Sequence, residues 1–172
     1  MVAKRTGDIM MPLEAFPFCP YWFTLRQALA EVEDMEIKRA IDRPIPWLIL
    51  VFSAQNQLLG IVRRREILQG IKAQLSIADP RGYTPEVDKG DMFRLGFSPS
   101  KVLKDLRRQM DRQIIEFMSP IKTTVSYDDH VLIVLHTMID RDLSFLPVSR
   151  DGSVIGIVYA EDALHEVITQ IT

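Results

Sequence analysis

The chain has 172 residues, 47% hydrophobic and 26% charged, the balance of a globular protein long enough to bury a core. Its formal net charge of −2 excludes a global electrostatic pull toward nucleic acid or anionic membrane. The longest apolar run, PWLILVF at 46–52, falls far short of the roughly 20 residues that span a bilayer, and the single Cys19 has no partner for an internal disulfide. Residues 1–12 lack the apolar stretch of a signal peptide, so the expected location is the cytoplasm.

In chain order, DIMMP (8–12) reads as a short acid-capped helix stopped at Met-x-Pro, because proline lacks a donor and biases its predecessor to extended backbone. The aromatic run AFPFCPYWF (15–23) follows and places Cys19 in apolar surroundings, as a buried, inert thiol. This run suits a cleft filling, an interface or support for a base equally well. Residues 33–46 read as an insertion. LILVF and LLGIV (48–52 and 58–62) read as two strands around a turn, and GIVRRREIL (60–68) as a strand passing into a helix.

A connector spans 71–113. Its first part, 76–97, is rich in Pro, Gly and charge and reads as a loop. Ser98-Pro99 then offers a helix cap and a proline at the first helical position. Leu103, Leu106, Met110, Ile114 and Phe117 recur at helical spacing, with Lys101, Lys104, Arg107, Arg108 and Arg112 around them. These cations read as a solvated face. A nucleic-acid surface is the weaker reading, since no base-stacking aromatics sit among them.

After a second Met-x-Pro (EFMSP, 116–120) comes an extended TTVS (123–126) and a helix over 128–142 with apolar Val131, Leu132, Leu135, Met138 and Ile139. Asp128 and Asp129 stand at its start as capping residues. SFLPVS and SVIGIVY flank Asp151-Gly152, a strong hairpin signal. AEDALHEVITQI (160–171) closes as a helix.

The two halves are copies. Gly60 and Gly156 lie 96 positions apart, and 48–57 aligns with 144–153 at the same offset without a gap. Met10 and Met118 lie 108 apart, so the first copy carries extra residues, placed at 33–46. Each copy reads β-α-β-β-α. The fold class is therefore α/β (α+β), with a first domain at 1–70, the connector at 71–113 and a second domain at 114–172.

No catalytic constellation stands out. His130, His136 and His165 lack zinc-ligand spacing, and there is no phosphate-binding Gly loop and no Gly-x-Ser-x-Gly elbow. The chain does not read as an enzyme.

Two β-α-β-β-α copies, each opening on Met-x-Pro and closing on Gly-Ile-Val with an acid six residues after the glycine, resemble a pair of CBS (cystathionine β-synthase) domains. The resemblance covers 6–70 and 114–171, and its second half is the nearer match. It implies tandem repeats packed as a pair, with clefts that bind adenosine-containing ligands such as AMP, ADP, ATP or S-adenosylmethionine. In the family motif a Thr or Ser after the apolar pair helps hold phosphate, and an Asp three residues on accepts the ribose hydroxyls. Asp162 matches that Asp. Tyr159 and Arg63 stand where the hydroxyl is usual, and Glu66 stands for the Asp in the first copy.

The ligand-binding set implied is Asp162, Tyr159, Val158, Thr123, Thr124 and Pro147 in the second copy, and Glu66, Arg63 and Arg64 in the first. No metal or required cofactor is expected. Asp162 has a second reading as a first-turn helix acid, worth about 0.3–1 kcal/mol. Three arginines, Arg63 to Arg65, are unfavourable at a helix N-terminus without a nearby anion, which favours phosphate there. Two functions follow from the resemblance. One is a regulatory module that senses an adenine nucleotide, forms a homodimer and signals to an effector protein. The other is a structural homodimerisation module with non-binding clefts.

Overall fold

The computed structural model describes residues 4–38, 47–74 and 99–171. The expected loop at 76–97, Ser98 and residues 39–46 of the expected insertion lie outside them. Residues 33–38 continue a helix instead.

Both Met-x-Pro segments stop a short helix as expected. In the first, α1 (Thr6–Ile9) is closed by the Asp8 carboxylate, which accepts the Arg5 N–H at 2.9 Å, and β1 (Met11–Pro12) follows. In the second, a 3-10 helix (Ile114–Phe117) is closed by Glu116 accepting the Gln113 N–H at 3.3 Å.

Each copy then supplies a short parallel strand, a helix and a hairpin. In the first, β2 (Phe18–Pro20) pairs with β3 (Leu48–Phe52), which turns into β4 (Leu58–Arg63); α2 (Leu25–Lys38) lies between β2 and β3, and α3 (Arg64–Gln74) closes the copy. The connector helix α4 (Pro99–Met110) packs on α2 and α3. Ile114 and Phe117 are buried beyond it, whereas Leu103 is exposed. In the second copy β5 (Ser119–Pro120) follows the 3-10 helix. Next come β6 (Val125–Ser126), α5 (Val131–Arg141), β7 (Phe145–Arg150), β8 (Ser153–Tyr159) and α6 (Ala160–Ile171). The β7–β8 turn has φ of 51° at Asp151 and 79° at Gly152, two left-handed residues in a row as a primed hairpin turn requires.

The strands form two sheets, β2-β3-β4-β5 and β1-β8-β7-β6. Each sheet ends in the Met-x-Pro strand of the other copy. Pro12 sits opposite Gly156, and Pro120 opposite Gly60. A Cβ on Gly156 would stand 2.5 Å from the Met11 carbonyl oxygen, and one on Gly60 2.5 Å from that of Ser119. Met-x-Pro and Gly-Ile-Val therefore recur together because each glycine admits the other copy's proline strand at close range.

Alternation along the strands divides the core. Ile49 and Val51 face the helices of the first copy with Leu25 and Ile114, while Leu48 and Leu50 meet Ile157 and Tyr159 of the second sheet. Val134, Met138, Leu146 and Val158 fill the second copy.

Two expectations for α5 are corrected. Its N-cap is His130, whose Nδ1 accepts the Leu132 N–H at 3.2 Å. Asp129 instead closes the preceding turn on the Ser126 N–H at 2.8 Å, and Asp128 pairs with Arg5 at 3.1 Å. The chain enters the helix one residue later than the acids. On the helix itself Val131 and Met138 are buried, but Leu132 and Ile139 face outward. Cys19 is buried as expected, and burial, with the charge of Glu31, pushes its thiol up to about 12.

Candidate functional site

Both copies pass from strand to helix without a loop. β4 ends at Arg63 and α3 starts at Arg64, and β8 ends at Tyr159 and α6 starts at Ala160. The first-turn N–H groups of both helices therefore open beside the sheet ends.

In the first joint Glu66 folds back on the strand. One oxygen accepts the Arg63 backbone N–H at 2.9 Å, and the other accepts Arg63 Nε at 2.8 Å and its Nη2. Burial alone would raise the Glu66 pKa. The hydrogen bonds and charge of Arg63 outweigh it and hold the carboxyl below its ordinary 4.5. Asp162 occupies the corresponding place in α6 and is partly buried.

The two joints meet at a cleft of about 260 Å³. Leu48 and the three arginines Arg63, Arg64 and Arg65 line it from the first copy; Ser144, Phe145, Tyr159 and Glu161 do so from the second. Leu48 and Ser144, Arg63 and Tyr159, and Arg65 and Glu161 are each separated by the repeat offset of 96. The cleft thus straddles the axis that relates the copies. The Arg63 guanidinium lies 5.6 Å from the Phe145 ring centroid, and Arg64 lies 5.7 Å from that of Trp47, within cation–π range.

Tyr159 is 4% exposed and packs between Phe16 and Phe145, its ring centroid 6.3 and 6.1 Å from theirs. Its buried hydroxyl has no hydrogen-bond partner among the described residues. Burial, with the charges of Glu161 and Asp162, pushes the phenol well above its ordinary 10.0.

Of the residues expected from sequence, Arg63, Arg64 and Tyr159 come together at this cleft, and Glu66, Asp162, Thr123, Thr124, Pro147 and Val158 are not among its lining. Val158 and Pro147 are buried in the second sheet, opposite Leu146 and Ile157. Thr123 accepts a long 3.4 Å hydrogen bond from Arg141, and Thr124 is exposed before β6. Arg65, read from sequence with Arg63 and Arg64 as favouring phosphate, also lines the cleft, whereas sequence reading missed Trp47, Phe145 and Glu161 as cleft residues. The offset of 96 was the available signal for Glu161, because it maps that residue onto Arg65.

A second cavity of about 680 Å³ lies at the opposite, turn ends of the hairpins, where Asn56 and Gln57 meet Gly152 and Ser153. Phe18 and Phe52 line it, and Glu14 is its only charged lining residue among those described. The outer faces of α5 and α6, which pack together, leave Ile133, Ile139, Leu164 and Ile171 exposed. Among the described residues no helix is long and apolar enough to cross a membrane.

Residues 103–169 match the family model of the CBS domain. No curated protein matches the chain. Solved structures share its fold at low identity. The CBS domain of a CBS domain-containing membrane protein from Sphaerobacter thermophilus is 16% identical, with a TM-score of 0.63 over 95% of this chain and 87% of that one. CBSX2 in complex with AMP is 15% identical, with a TM-score of 0.59 over 98% of both chains. The cytosolic domain of the Mg2+ channel MgtE, in complex with ATP, is 18% identical, with a TM-score of 0.59 over 94% of this chain. This chain spans 48% of the length of that one, about half. The family match thus falls on the connector helix and the second copy, and the paired fold over both copies is shared with the CBS domain from Sphaerobacter thermophilus.

Proposed function

We propose that the protein is a regulatory module that binds an adenine nucleotide between its repeats and passes the signal, as a homodimer, to an effector protein. The observation that carries this reading is the cleft at the two joints. It gathers the starts of two helices, Arg63, Arg64 and Tyr159, whose hydroxyl has no partner among the described residues. Such a set suits a phosphorylated ligand, because free N–H groups and guanidinium forks both favour phosphate oxygens. AMP and ATP occur in complexes of two proteins that share the fold. The exposed apolar faces of α5 and α6 supply a surface for the second copy.

The test is a thermal-shift series with AMP, ADP and ATP. A ligand at 100 times its Kd adds about 2.7 kcal/mol, which for a chain of this size raises Tm by roughly 5–10 °C. No shift with any of the three at millimolar concentration refutes the reading. One observation favours the alternative of a structural dimer with non-binding clefts: Glu66 is already committed to Arg63 and to the start of its own helix. That alternative keeps the dimer and predicts no shift.

A further inference from the structure

We propose that the cleft takes one ligand per chain and holds it by a di- or triphosphate group placed on the axis between the repeats. The proposal rests on the nucleotide reading above and deepens it: phosphate is the recognised part, and the nucleoside is carried.

Stoichiometry comes from the lining. The walls are built from equivalent positions of the two copies, so the axis between the repeats runs through this cleft and a ligand on the axis fills it once. Clefts that enclose a whole drug-sized ligand run to about 300–1,000 Å³. At about 260 Å³ this one fits a ligand held by one end.

The charges on its two walls differ. Arg63 is neutralised by Glu66, but neither Arg64 nor Arg65 is ion-paired among the described residues. Both stand in the first turn of α3, where the helix dipole disfavours cations. An anion in the cleft reverses that penalty. Among the described residues Glu161, at the start of α6, is the one acid on the lining, so the two arginines leave these walls net positive.

Tyr159 supplies an independent sign. Buried polar groups almost always have a partner, and its hydroxyl has none among the described residues. Tyr159 itself is one of the residues that line the cleft. A phosphate oxygen on the axis would accept its proton. The two acids that the resemblance assigns to ribose are not offered to it there: Glu66 is tied to Arg63, and Asp162 does not line the cleft.

Titration calorimetry of the full chain with ATP, tripolyphosphate and adenosine tests this. One site per chain is expected for ATP and tripolyphosphate, with affinities within about tenfold of each other and adenosine at least about a hundredfold weaker. Arg64→Ala with Arg65→Ala, both at exposed positions, is expected to weaken ATP and tripolyphosphate alike by about tenfold or more. Tyr159→Phe is expected to lower tripolyphosphate affinity about fivefold while leaving Tm unchanged or raised, since it deletes a buried unpaired hydroxyl. A purely structural Tyr159 would leave the affinity unchanged, and that result overturns the proposal. Adenosine binding as tightly as ATP, or two ligands per chain, overturns it too but leaves the nucleotide reading standing. Tripolyphosphate binding without ATP binding keeps the phosphate site and overturns the nucleotide. Silence from both ends both.

Discussion

Gly156→Ala tests the strand exchange that joins the repeats. The new Cβ would stand 2.5 Å from the Met11 carbonyl oxygen and 2.7 Å from Met10 Sδ, where ordinary contact begins near 3.4 Å. The thioether can rotate away, but the carbonyl is backbone. Relief requires β1 to move outward by roughly an ångström, the gap between those distances. Only two residue pairs, Met11 with Ile157 and Pro12 with Gly156, hold β1 to β8. The strand is therefore expected to peel away before the sheet distorts. Overpacking of this kind costs about 1–3 kcal/mol. At about 2–4 °C per kcal/mol for 150–250 residues, Tm should fall by about 2–12 °C. Circular dichroism melts read the loss, and amide exchange at Met11 and Ile157 should accelerate ahead of the core. A variant melting within about 1 °C of the parent, with exchange unchanged, would refute the close approach and the role assigned to the glycine.

Glu66→Gln should destabilise the protein at neutral pH. The folded carboxyl is held below its ordinary 4.5, so its contribution is fully present above that value and is lost as pH falls through the depressed one. Urea unfolding of parent and variant should converge in acid, and a difference that persists well below 4.5 would contradict the assignment. Cys19, buried with its thiol pushed up to about 12, should resist a thiol reagent at mildly alkaline pH and react only as urea unfolds the chain; prompt reaction of the native protein would place it elsewhere. The parent should sediment as a dimer, and Ile139→Glu with Ile171→Glu should leave a species near 19.8 kDa with Tm little changed, because both side chains are exposed. A parent already at that mass removes the proposed interface.

Much of this fold was legible in the chain because its rules act over a few residues. Asp151-Gly152 reads as a hairpin since left-handed φ values suit those two residues, and the turn has them. Met-x-Pro reads as a stop because proline removes a donor within its own turn. The offset of 96 exposes the duplication without any contact being known. Tertiary structure decided what depends on residues far apart. β1 crosses to β8 and β5 to β4 because only Gly156 and Gly60 let another backbone come so near. Sequence order placed Arg63 and Glu66 as separate ligand groups, but with the helix starting at Arg64 their side chains meet and neutralise each other. Val158 and Pro147 sit near the joint in sequence, yet pairing within the second sheet buries them away from the cleft. Tyr159 shows both levels at once. Its place at the end of a strand follows from the local pattern, but the loss of every partner for its hydroxyl among the described residues follows from how two sheets pack around Phe16 and Phe145.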